Sequence, residues 1–449
     1  MYQVPQHISQ DKIFIVKKSE IEGRLEPDFY KPSIASLEKK IRLLSTKRLR
    51  SYAQSFVGGA TPSKREYEKY YSESETGIPF LRVQNLQTTG ELLLDGCVYI
   101  NEDTHNGLLK RSQVSEGDLL VKITGVGRMA IASVAPKDFV GNTNQHMVVI
   151  KTGNSAVSKY LAHYLNLDII EKITSRHSTG GTRPALDYPS LKNIPIIEGL
   201  DFSIIDNAIK AKKAKESDAQ QLLDSIDGYL LKELGITIPN VDNELNNRIF
   251  FSSFSKIEGN RLDPIYSLYL GKNASSTEYE NTSLRSVAYI VKGNALSSSD
   301  IEAGDIPVIA GGQTSPYSHN QANYEGNVIT VSASGAYSGY IWYHDYPIYA
   351  TDCCVIYSKD ELRYMTKYLF EVLKLQQKSI YRLQTGAAQP HVYAADLQML
   401  NIPIVSIDKQ RDIVNHIADI RTKAKALQAE GKAILEDAKL KVEQMIMGE

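Results

Sequence analysis

The apolar positions of the last forty residues fall on a seven-residue repeat. Ile413, Ile420, Leu427 and Ile434 lie seven apart, and Ile417, Ala424, Gly431, Ala438 and Met445 form a second column of the same spacing that begins four residues further on. That is the 3.5-residue seam of a helix packed lengthwise against another. With no proline inside it, the pattern predicts one uninterrupted helix from about Asp408 to Met447. Shifting back by 208 positions places Ile205, Ile209, Ala219, Leu223, Ile226 and Leu230 in the same two columns, from about Phe202 to Leu234, before Gly235 and Pro239 end the helix. Lys212 and Glu216 interrupt this earlier seam with polar side chains. Two long helices of matched register in one chain predict an antiparallel coiled coil. Arg421, Lys423, Lys425 and Lys432 give the last helix a basic outward face, by default a solvated one.

The helices belong to a larger internal repeat. LRSYAQSFVGGATPS from Leu49 matches LRSVAYIVKGNALSS from Leu284, and EGRLEP from Glu22 matches EGNRLDP from Glu258, at offsets of 235 or 236. Further on, YLAHYLNL from Tyr160 matches YLFEVLKL from Tyr368, and KNIPI from Lys192 matches LNIPI from Leu400, at 208. The first copy therefore holds about 27 more residues, expected between Lys64 and Glu75, where Tyr and charged residues cluster. Each copy runs through a short helical lead, segments rich in Val, Ile, Thr and Tyr such as GDLLVKITG, HMVVIK and GNVITVSASG, a helix, a Gly-containing loop, an IPI segment and a long helix. The predicted class is mixed α/β (α+β), with domains over 1–200 and 239–405 and spacer helices over 201–238 and 406–449.

Composition narrows the function. A chain of 449 residues with 42% apolar content is expected to hold two or three domains, each with its own core, and it has no apolar run of membrane-spanning length. Cys97, Cys353 and Cys354 suit neither a disulfide framework nor a zinc site, and a reducing cytoplasm is the expected home. Catalytic signatures are missing: GVGRMA at Gly125 lacks the acidic partner of a dinucleotide site and reads as a turn, and GGATPSK at Gly58 has the wrong spacing for a P-loop.

The loops instead hold side chains that read bases. IPFLRVQNLQ carries Arg82, Gln84 and Asn85, with Arg82 and Gln84 expected on one side of an extended segment. Arg suits guanine, and Asn or Gln suits adenine, through paired hydrogen bonds in the major groove. VGNTNQHM adds Asn142, Asn144, Gln145 and His146; RHSTGGTRP adds Arg176, His177, Thr179, Gly180 and Arg183; the strand-end turn adds Lys122 and Arg128. In the second copy the corresponding candidates are Gln313, Thr314, Ser315, Tyr317, Ser334, Tyr337, Arg382, Thr385 and Gln389. Similar frames with dissimilar loops suit two readers of two different words. Their charge differs: residues 105–200 hold eleven Lys and Arg against seven Asp and Glu, whereas residues 280–404 hold eight against eleven. Phosphate neutralisation supplies much of DNA affinity, so the second reader needs a partner that grips the backbone. The rival reading is a helical adaptor with two protein-binding domains and no DNA contact.

In its duplicated layout, in IPFLRVQNL, in GDLLVKITG followed by GNTNQHMVVI, and in the endings TGGTRPALDYPSLKNIPI and TGAAQPHVYAADLQMLNIPI, the chain resembles the specificity (S) subunit of type I restriction-modification systems. The resemblance implies two target recognition domains, each reading one half of a bipartite asymmetric sequence in double-stranded DNA. It also implies that the helices set the gap and dock two modification subunits through Ile205, Ile209, Leu223, Ile226, Leu230, Ile413, Ile417, Ile420, Leu427 and Ile434. S-adenosylmethionine would bind those partners, this chain holding no cofactor or metal and catalysing nothing, and a motor-nuclease subunit would be a further partner.

Overall fold

A computed structural model describes residues 9–237 and 277–448, apart from residues 10, 46, 75, 298, 316 and 387. The chain forms two compact units, Met1–Ala214 with Glu430–Glu449, and Lys215–Ala429. Both boundaries fall inside long helices, Ser203–Glu233 and Ile407–Met447. The expected domain start at 239, Pro239 and the second EGNRLDP motif lie outside the described residues.

In the first unit the central sheet runs in the order Ser55–Gly58, Met147–Lys151, Leu119–Lys122, Ala132–Val134. Side chains alternate across it, as strand geometry requires. Leu119, Val121, Val148 and Ile150 join a core with helices Ser155–Leu165 and Asp168–His177. Leu120, Met147 and Val149 face the other way, toward Leu81 and Val114 of a second, five-stranded sheet and toward Leu86. Because both faces are covered, these strands read as unbroken apolar runs. The one helix expected after the strand-rich segments is two, Ser155–Leu165 and Asp168–His177, parted at Asn166, whose carboxamide bonds both backbone groups of Ala132.

The second unit repeats the plan with strands Ala288–Lys292, Cys353–Ser358, Val328–Ser332 and Ile341–His344. Ile329, Val331, Cys354 and Ile356 face its helical core, and Val328, Cys353 and Val355 face a three-stranded sheet. Equivalent strands place the surplus of the first copy. The offset between them is 228 at Ile78 and Ile306 but 210 at Lys122 and Ser332. Only about seven extra residues precede Ile78, and about eighteen fall between Leu81 and Leu119, among them helix Glu102–Asn106. This corrects the placement at Lys64–Glu75, of which residue 75 is outside the described set.

Each unit's core takes in an end of both long helices. Phe202, Ile205, Ala208 and Ile209 share the first core with Leu435, Ala438, Val442 and Ile446. In the second, Ile226, Leu230 and Leu234 join Ile413, Val414, Ile417 and Ile420, with Leu223 packed at its edge. The start of one helix thus meets the end of the other, and the two run antiparallel. Leu427 and Ile434 are half-buried, and Met445, assigned to the seam, is 68% exposed. A straight helix drifts about 20° per heptad against a 3.5-residue repeat. Over the stretch from Ile413 to Met445 that sums to roughly 90°, close to the ~100° one residue occupies. The seam accordingly moves to Leu435, Val442 and Ile446. Leu435→Ala is expected to cost about 2–5 kcal/mol and Met445→Ala less than about 0.5 kcal/mol, measured as shifts in urea unfolding midpoint.

Arg421 does not stand on a solvated face. Its guanidinium forks onto the Glu371 carboxylate at 2.5 and 2.7 Å, and Glu371 is buried. No described helix is long and apolar enough to cross a membrane.

Candidate nucleic-acid interface

The candidate loops gather at one end of each central sheet. In the first unit the strands reach this end at Gly58, Lys122 and Met147. There Ile123 donates its N–H to the carbonyl of His146 at 2.9 Å, and Gly125 donates to Pro184 at 3.0 Å. Thr124 bridges Ala185, so the loop Thr179–Ala185 crosses the strand ends. Thr61 adds a hydrogen bond to Gln145. The second unit builds the same edge: Gly335 donates to Pro390 at 3.0 Å, Ser334 bridges His391, and Thr385–His391 is the crossing loop. Both crossing loops turn at a glycine with positive φ, Gly180 at 99° and Gly386 at 97°. A Cβ there would lie 3.0 Å from the Arg183 carbonyl or 2.7 Å from that of Gln389, so each turn admits only glycine without distortion.

The predicted residues divide into those on the surface and those inside the fold. Gln84, Gln145, Thr179, Gly180 and Arg183 are exposed, His146 is half-buried, and Thr179 also pairs with Ala185 through its backbone. Several others brace the loops from within. Val83–Asn85 is a helical turn, not an extended segment, because the buried Asn85 side chain accepts the Arg82 N–H at 2.7 Å and donates to Leu93 at 2.8 Å. Arg82 and Gln84 therefore do not alternate along a strand. Arg82 is half-buried. Asn142 is fully buried between Leu109 and His105, and Asn144 caps the turn by accepting from the His146 N–H. Lys122 is buried with its ammonium on the Val126 carbonyl at 2.7 Å; burial pushes its pKa down. Arg128 is held by Asp168 and the Asn166 carbonyl.

Arg176 and His177 are likewise internal. Both bond the buried carboxylate of Glu38, and Arg176 also donates to the Phe29 carbonyl at 2.6 Å. Burial alone would raise the Glu38 pKa. The hydrogen bond and charge of His177, the hydrogen bond of Arg176 and the charge of Arg42 outweigh it and hold the carboxyl down at about 2.

In the second unit Gln313, Thr314, Tyr317, Tyr337, Arg382 and Gln389 are exposed. Ser315 turns back onto the carbonyls of Val308 and Tyr317, Ser334 bonds Asp352, and Thr385 bridges His391, so these three shape the loops. Two exposed side chains on these loops were not singled out by sequence: Val126, 77% exposed, and Tyr393, 56% exposed beside His391. An apolar residue between two glycines, Gly125 and Gly127, was the available signal for Val126. Among the described residues no group of His, Cys, Asp and Glu could hold a metal ion.

The model of a family described as the type I restriction modification DNA specificity domain matches residues 46–197 and again 276–436, together more than half of the chain. The chain belongs to this family. The two matches to the specificity domain fall on the two copies of the internal repeat. Solved structures from type I restriction-modification systems are similar at low identity. One is the S subunit of the type I restriction-modification system from M. genitalium, 15% identical over 87% of this chain and 95% of that chain, with a TM-score of 0.38. Another is the HsdS subunit from Thermoanaerobacter tengcongensis, 14% identical over 88% and 95%, with a TM-score of 0.34. A third comes from a study of complex assembly and conformational transition of the type I R-M system, 14% identical over 89% and 95%, with a TM-score of 0.46. No curated protein matches the chain. This chain is thus a DNA specificity subunit of a type I restriction-modification system, and the adaptor reading is not favoured.

Proposed function

We propose that each unit reads one half of a bipartite, asymmetric DNA target through its loop edge, and that the paired helices fix the gap between halves. Two modification subunits would dock on the helices, bind S-adenosylmethionine, and flip and methylate adenine in the target; motor-nuclease subunits would join them. The specificity subunit itself would contribute recognition and no catalysis.

One observation carries this reading: the same edge is built twice with different exposed residues. Arg183 at the tip of the first crossing loop corresponds to Gln389 in the second, and the turn that carries Val126 corresponds to one that carries Tyr337. Arg183, Gln84 and Gln145 would supply base or phosphate contacts in the first half, and Gln313, Thr314, Tyr317, Tyr337 and Gln389 in the second.

The test is a domain exchange. Replacing residues 58–195 with the corresponding domain of a relative should move methylation to sites with a new first half and an unchanged second half. Sequencing methyladenine in the host genome reads both at once. Methylation that stays at the original full sequence would defeat the division of labour.

A further inference from the structure

The segment Glu22–Tyr30 lies before the repeat's first strand, yet it grips the start of the first crossing loop. Arg24 donates to the Ser178 carbonyl at 2.9 Å and to the His177 carbonyl at 3.4 Å. These are the last residue of helix Asp168–His177 and the one after it, where helix carbonyls have no intrahelical partner. A guanidinium there satisfies them and complements the negative helix end. The next residue, Thr179, opens the loop that carries Arg183. Arg24 is itself fixed: its guanidinium lies 4.6 Å from the centre of the Phe29 ring, and Arg176 lies 4.3 Å from the same centre. The Tyr30 hydroxyl closes the segment by accepting from the Glu22 N–H at 2.9 Å and donating to the Arg24 carbonyl at 2.8 Å. Leu25, between these anchors, is 83% exposed and takes no part.

The sequence keeps this segment where it changes the reading residues. Glu, Gly, Arg, Leu, Pro and Tyr of residues 22–30 recur in order at 258–266, whereas Arg183 is replaced by Gln389. Residue types shared by two readers of different words serve the frame and not the word.

We propose that Arg24 is a positioning residue for DNA reading: it clamps the carbonyls at the helix end and so fixes the take-off of the loop Thr179–Ala185. This rests on the reading that the loop edge contacts DNA. A loop held in its bound path loses less freedom on binding, so release of the clamp weakens discrimination at the first half and leaves the second untouched.

The experiment uses the full chain assembled with its modification subunits. The duplex probes carry the mapped target, the target with its first half scrambled, or the target with its second half scrambled. For Arg24→Gln, discrimination against the scrambled first half should fall by roughly tenfold, the size of one good base contact, with second-half discrimination retained. Arg24→Lys, which keeps the positive charge that complements the helix end, should recover part of the loss, and Leu25→Ala should match the unaltered chain. Amide exchange should rise in Arg24→Gln over residues 178–185. Full first-half discrimination in Arg24→Gln, or equal loss at both halves, overturns the proposal. If Arg24→Gln does not fold, Tyr30→Phe, which removes only the hydroxyl closing the segment, must show the same one-sided loss or the proposal falls. An unaltered chain blind to the first half would overturn DNA reading by this unit instead; the clamp is then judged by whether exchange at 178–185 rises.

Discussion

A chain ending at Ser406 is expected to lose cooperative folding in both units. The terminal helix supplies Leu435, Val442 and Ile446 to the first core and Ile413, Val414, Ile417 and Ile420 to the second, all buried. Burying an aliphatic side chain is worth about 1.5–3 kcal/mol, so the loss is roughly 5–9 kcal/mol in the first unit and 6–12 kcal/mol in the second. A domain's whole stability is about 5–15 kcal/mol. Removing the helix also strips the partner from buried Glu371, since Arg421 goes with it. The truncated chain should be insoluble, or give no sigmoidal thermal transition by circular dichroism. A cooperative melt from a soluble 1–406 fragment would show that the units do not depend on this helix. The expectation from sequence alone was narrower, a loss of docking, because the seam residues there had no cores to belong to.

Glu38→Ala is expected to destabilise the first unit by about 3 kcal/mol, since it removes the one buried carboxylate that holds the partly buried side chains of Arg176, His177 and Arg42. Glu38 is 3% exposed, bonded by Arg176 and His177 and paired with Arg42 at 2.6 Å. The same carboxylate sets an acid limit. Its folded pKa of about 2 lies below the ordinary 4.5, so the folded state favours the charged form. That contribution is fully present above about pH 4.5 and fades as the pH falls towards 2. At 1.36 kcal/mol per pKa unit it amounts to at most about 3 kcal/mol. Urea unfolding at a series of pH values between 6 and 3 should show stability falling with acid in the unaltered chain, with a shallower fall in Glu38→Gln. Parallel curves for the two proteins would place the acid sensitivity elsewhere.

The repeat, the two helices and the strand-rich segments were legible because each is a periodicity, and period survives without knowledge of the tertiary fold. Even the seam's error at Met445 has a readable cause, since Leu435, Val442 and Ile446 trace the 3.6-residue helix that the heptad count overran. The loop candidates were harder. Asn142 and Gln145 stand three residues apart in one polar stretch, yet one is fully buried and the other exposed. A polar side chain at a strand end looks the same in sequence whether it satisfies backbone groups inside or faces solvent, and only the strands packed around Asn142 decide it. The inward hydrogen bonds of Arg176 and His177 were hidden for a related reason. Their partner, Glu38, lies 138 and 139 residues away, and no local pattern connects them.

The division of the chain into Met1–Ala214 with Glu430–Glu449, around Lys215–Ala429, bears on how the protein is made. Domains generally fold as units during synthesis, at about 5–20 residues per second. Residue 214 is followed by 215 residues of the other unit before the strip that completes the first core is translated, an interval of roughly 10–45 seconds at those rates. The half that emerges first is therefore the last to close. Until then the core that awaits Leu435, Val442 and Ile446 stays incomplete on the nascent chain, and a ribosome that stops just past residue 429 releases the second unit whole and the first unfinished.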